Sequence, residues 1–180
     1  MKLSEESINQ DQLNDFKTIE QTMEKLSNGT RRLAAQLTTT ASFDSLWSVL
    51  TDYDRLSNFI PNLLSSKELF RSKTNLQVRQ IGSQDFLGLK FSAEVLLDLY
   101  EDRENGLIKF NLIKGDFRKF EGYWKIQSIA NSGKNSLIYD LTVKGCNWMP
   151  IGMIEKRLKR DLSENLIAVE RQAKLVSQIN

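Results

Sequence analysis

The chain predicts an α+β fold in which a curved antiparallel β-sheet wraps around a long C-terminal helix, with two short helices after the first core strand. Three observations carry this reading. From Leu33 to Gly145 most of the chain alternates apolar and polar residues in runs spaced too closely for parallel crossovers, which need a dozen or more residues. From Pro150 to about Val176 the apolar period becomes helical. Between the first core strand and the later ones, SFDSLWSVLTDYDRLSNFIPNL (Ser42–Leu63) holds two short amphipathic segments and a proline stop.

In chain order, residues 1–16 are polar and offer too little apolar surface to offset the entropy of ordering, so a flexible tail precedes a single domain over 17–180. From Lys17 to Ser27 the spacing of Phe16, Ile19, Met23 and Leu26 suits a helix, yet Asn28-Gly29 is a type I′ hairpin signal, and a strand is preferred. Leu33, Ala35, Leu37 and Thr39 then share one face of a strand. Phe43, Leu46, Trp47 and Leu50 fall on one face of a helix with Ser42 as N-cap. Leu56, Phe59 and Ile60 continue for about one turn before Pro61 excludes helix at Ile60.

Further strands are expected over 65–71, 76–86, 90–101, 107–114, 120–129 and 137–145, forming a meander. One face carries Phe91, Val95, Leu97, Phe110, Trp124, Tyr139 and Leu141, and the other Glu94, Asp98, Lys109, Lys125 and Asp140. Such a one-sided sheet needs a cover. The segment from Pro150, with Ile154, Leu158, Leu162, Leu166, Val169 and Ala173 in a stripe, spans roughly 40 Å at about 1.5 Å per residue and can supply it. A charge at Leu158 or Leu162 is expected to unfold the domain.

Composition excludes several chemistries. The chain has 180 residues, 40% hydrophobic, with a net charge of +2, so no strong field draws it to nucleic acid and no DNA partner is expected. It lacks His and has one Cys, which removes Ser-His-Asp, Cys-His and zinc-hydrolase mechanisms and intramolecular disulfides; Cys146 reads as a small buried hydrophobe. No apolar signal region or membrane-length apolar run occurs, so the expected location is cytoplasmic, with peripheral membrane contact as an option.

Three stretches resemble a known family. LWSVLTDYDRLSNFIPNL at Leu46–Leu63, GDFRKFEGYW at Gly115–Trp124 and RRLAAQ at Arg31–Gln36 are similar to the coenzyme-Q-binding branch of the START-like, or polyketide cyclase/dehydrase, superfamily (SRPBCC), particularly its cyanobacterial and plastid members. The resemblance covers about 17–174. It implies the helix-grip fold, also called START-like or Bet v 1-like, with a cavity between sheet and helix. It implies a non-catalytic carrier of a prenyl quinone or other lipid, with no cofactor required. The superfamily also contains aromatases, cyclases and dehydratases, and ribosome-association toxins, which make an enzyme and a ribosome partner the alternatives.

The cavity-lining candidates are Phe59, Phe91, Val95, Phe110, Trp124 and Tyr139, with Leu158 and Leu162 opposite. Trp148 and Met149, in CNWMPIGM before the long helix, are candidates for a gate at the mouth, because Met adapts to irregular ligands and Trp suits boundaries between apolar and wet regions. Arg79 and Glu94 are the candidate polar cavity groups. No catalytic constellation is recognisable; an enzyme would need an inward carboxylate or Tyr. Lys156, Arg157, Lys159 and Arg160 form a basic cluster that could meet anionic lipid or a ribosome, and i, i+4 pairing with acids reduces its field.

Overall fold

The computed structural model describes residues 19–86, 89–147, 149 and 151–179, apart from the side chains at 84–86, 89–91, 151, 153, 154 and 179. The tail expected over 1–16 lies outside the described residues. The elements are β1 (Ile19–Lys25), β2 (Arg31–Thr39), α1 (Phe43–Thr51), β3 (Leu63–Arg71), β4 (Leu76–Phe86), β5 (Leu89–Asp102), β6 (Leu107–Gly115), β7 (Phe117–Ile129), β8 (Lys134–Gly145) and α2 (Ile151–Ile179). Tyr53–Asn58, the second short segment, is a 3-10 helix.

The strands form one antiparallel sheet in the order β1-β2-β8-β7-β6-β5-β4-β3, so β2 joins the end of the meander rather than its start. Register shifts interrupt β3–β4, β5–β6 and β7–β8. Each adds a bend and extra twist, which curls the sheet around α2. At the β1–β2 connection Asn28 and Gly29 both have positive φ, 56° and 74°, as the Asn-Gly signal requires. Gly122 in β7 is dictated by packing: a Cβ there would stand 2.0 Å from the Asp140 carbonyl oxygen of β8.

The inner face was legible from alternation. Val95, Leu97, Leu137, Leu141 and Val143 are all buried, and Leu162, Leu166, Val169 and Ala173 of α2 pack onto them and β2. Asp140, expected on the solvated face, is buried beneath Arg32, whose Nη2 donates to Oδ2 at 2.9 Å. Glu170 is buried within the stripe of α2, where its Oε1 accepts from Thr39 Oγ1 at 2.8 Å and pairs with Lys174 Nζ at 3.1 Å. The Ser42 hydroxyl accepts from Ser45 N–H at 3.1 Å and caps α1.

The 3-10 segment is tied to the sheet by a polar cluster. Tyr53 is buried and its hydroxyl donates to Glu101 Oε1 at 2.7 Å. Arg71 bonds both Glu68 and Glu101, and its guanidinium sits 5.7 Å over the Tyr53 ring. Cys146 is half-buried rather than enclosed, its Sγ donating to the Asp116 carbonyl at 2.8 Å.

Candidate ligand cavity

A cavity of about 240 Å³ lies between the inner face of the sheet and α2. Its sheet wall is formed by Val78, Val95, Leu97, Phe110, Trp124 and Tyr139, its helix wall by Leu158 and Leu162, and another wall by Tyr53, Leu56 and Ile60. The strand period places these side chains together. Trp124 and Tyr139 are direct cross-strand partners whose rings stack at 4.0 Å and 9°. Phe110 continues the surface, 6.2 Å from Tyr139 and 5.8 Å from Phe120, which in turn lies 5.3 Å from Phe117. The result is an aromatic wall, built because inward positions on β6, β7 and β8 are aromatic in register.

Of the residues singled out from sequence, Val95, Phe110, Trp124, Tyr139, Met149, Leu158 and Leu162 line this cavity. Trp148 lies outside the described residues, as does the side chain of Phe91 in β5. Phe59 is not among the cavity's lining residues. It is half-buried against the core and borders a separate groove beside Ile167, Ala168 and Arg171 of α2. Just past the end of the 3-10 segment Ile60 N–H donates to the Leu56 carbonyl at 2.9 Å, four residues back, and Ile60 takes the cavity-facing position beside Leu56 instead.

Arg79 and Glu94 are not cavity groups, a correction with a simple cause. Val78 and Val95 point inward, so their immediate neighbours point outward. On that outer face Arg79 and Glu94 pair with one another, Nε to Oε1 at 2.6 Å and Nη2 to Oε2 at 2.8 Å. The Arg79 bond holds the Glu94 carboxyl below its usual range.

Polar groups reach the cavity from the sheet side, among them Gln80, Ser83, Ser92 and Tyr139, and its charged groups come from α2. Arg157, Asp161 and Asn165, spaced i, i+4, i+8, line it beside Leu158 and Leu162. Arg157 Nε lies 3.6 Å from Asp161 Oδ2, both side chains being largely buried. Arg157 therefore leaves the expected basic cluster; Arg160 pairs outward with Glu164 at 3.7 Å, and Glu155 pairs with Arg31 at 2.5 Å. Exposed Lys156 and Lys159 remain of that cluster. The signal that could have found this row was available: residues 157, 161 and 165 run parallel to the apolar stripe, one position before 158, 162 and 166.

Electrostatics follow from the enclosure. Burial pushes the Asp161 carboxyl upward, against the opposing pull of Arg157 and Arg160. Burial raises Tyr139 as well, with the charge of Asp161 adding to it. A carboxyl raised in the native state binds its proton before the unfolded chain does, so its contribution to stability grows as pH falls from neutral toward 3.8. Asp54, Glu94, Asp102 and Glu155, held below their usual ranges, act in the opposite sense. They cancel in a comparison with Asp161→Asn. The melting temperature of the parent minus that of Asp161→Asn is expected to rise as pH falls through this window; a flat difference would show that Asp161 titrates normally.

A curved antiparallel sheet gripping a C-terminal helix over a cavity defines a START-like, helix-grip protein. Within that class the chain belongs to the polyketide cyclase / dehydrase and lipid transport family, whose sequence profile matches residues 39–170. The STAR-related lipid transfer protein of Xanthomonas axonopodis superposes with a TM-score of 0.70 at 12% identity, over 87% of this chain and 93% of that one. The Zhui aromatase/cyclase of Streptomyces sp. R1128 gives 0.66 at 18%, over 81% and 94%. Human StAR-related lipid transfer protein 5 gives 0.63 at 9%, over 87% and 88%. No curated protein matches the chain. No helix among the described residues is long and apolar enough to cross a membrane.

Proposed function

We propose that this protein binds a hydrophobic small molecule, an isoprenoid quinone or a similar lipid, and shields or presents it without transforming it. The observation that carries the reading is the cavity of about 240 Å³ with its mainly apolar and aromatic wall. Burial of an apolar ligand would contribute about 25 cal/mol per Å². The resemblance of three sequence stretches to the coenzyme-Q-binding branch supports a quinone. Family membership supports lipid carriage more broadly.

A second reading, catalysis of a cyclase or dehydratase type, is favoured by one specific observation: Asp161 and Tyr139 face the cavity, as an enzyme on this fold would need. Native mass spectrometry of protein purified gently from its own cells, followed by organic extraction, tests both. A stoichiometric prenyl quinone or lipid supports the carrier. An extracted ligand that the protein converts to a cyclised or dehydrated product supports the enzyme. An empty protein that pellets with ribosomes overturns both.

A further inference from the structure

The cavity is not uniformly apolar, and the polar groups that α2 contributes to it are arranged along one line. At about 1.5 Å per residue, Arg157, Asp161 and Asn165 span roughly 12 Å of α2. Opposite them stands the Trp124–Tyr139 stack on the sheet. The charges of Arg157 and Asp161 cancel across their 3.6 Å contact. The Asn165 Oδ1 is buried and makes no hydrogen bond among the described residues. A buried amide oxygen left without a donor costs free energy, which a hydroxyl brought to it would recover.

Resting on the carrier reading above, we infer that Arg157, Asp161, Asn165 and Tyr139 form a head-group subsite for an uncharged planar ring bearing hydroxyl or carbonyl groups. The ring would stack within the aromatic wall formed with Trp124 and Phe110. Its oxygen substituents would meet the Asn165 amide and the Tyr139 hydroxyl. An anionic head is disfavoured, because a carboxylate or phosphate brought to Arg157 also meets the carboxylate of Asp161. A cavity of about 240 Å³ has room for one ring and a short tail. A longer tail must lie beyond this space.

Three probes that differ only in the head test the subsite by isothermal titration calorimetry: para-hexylphenol, para-hexylanisole and para-hexylbenzoate. The parent protein is expected to bind the phenol about tenfold more tightly than the anisole or the benzoate, one to two hydrogen bonds' worth of selectivity. Asn165→Leu and Tyr139→Phe, singly and together, should shrink that advantage while leaving anisole affinity within about threefold, since each keeps the wall's shape. Thermal melts of each variant establish that it folds. Equal affinity for phenol and anisole, tighter binding of the benzoate, or selectivity unmoved in the folded variants would overturn the subsite while leaving the carrier reading intact. Failure of all three probes to bind would overturn the carrier reading and the subsite with it.

Discussion

Leu166→Asp is expected to leave no cooperatively folded protein at neutral pH. Leu166 is fully buried in the central cluster, away from the cavity lining, with Leu162, Val169 and Ala173 on the same stripe. Losing its burial removes about 1.5–3 kcal/mol, and an unpaired charge in that position costs several kcal/mol more. A domain's total stability is about 5–15 kcal/mol. Circular dichroism with a thermal scan reads the result: no sharp transition is expected, and a retained one would mean that α2 does not present this face to the sheet. Leu158→Asp should be milder. Leu158 is half-buried and lines the cavity, where water can reach a new charge, so the structure separates two positions that the apolar stripe alone makes equivalent.

Val95→Trp should abolish ligand retention without unfolding the protein. Val95 is buried on the inner face of β5 and lines the cavity. The larger ring would grow into existing space, so the overpacking cost stays within the usual range of about 1–3 kcal/mol. Asp98→Trp, on the opposite, solvated face of the same strand, is the control. Native mass spectrometry after identical purification should show bound ligand falling at least about tenfold in Val95→Trp, a loss of about 1.4 kcal/mol, and unchanged in Asp98→Trp. Full occupancy in both would place the ligand elsewhere on the molecule.

The sheet and its covering helix were legible because both rest on periodicity. Leu137, Tyr139, Leu141 and Val143 had to share a face once β8 was a strand, and the structure buries all four. The same rule, applied to Val78 and Val95, places Arg79 and Glu94 outside, because parity and not mere location in a strand decides which face a side chain takes. The polar row of α2 was missed for a different reason. Charged residues on an amphipathic helix are usually solvated, and nothing in one sequence reports that the sheet curves far enough to leave a space beside Leu158 and Leu162. That curvature depends on bulges such as the one between Phe117 and Lys119, whose hydrogen-bond irregularity has no fixed residue signature. The mostly apolar wall was foreseeable, while the void within it depends on side-chain volumes that summed patterns do not give.

The pairing of β2 with β8 reaches beyond architecture into the time taken to fold. Arg32 meets Asp140 across a separation of 108 residues, and β2 lies beside no other meander strand. Closing so long a loop carries an entropic penalty that must be met before the contacts inside it reward it, which slows folding in proportion to how non-local the pairing is. Until β8 is in place, the row of Leu33, Ala35 and Leu37 has only β1 for a neighbour and no completed surface on which α2 can dock. Formation of the β2–β8 ladder is therefore the expected rate-limiting event, with helix docking following it.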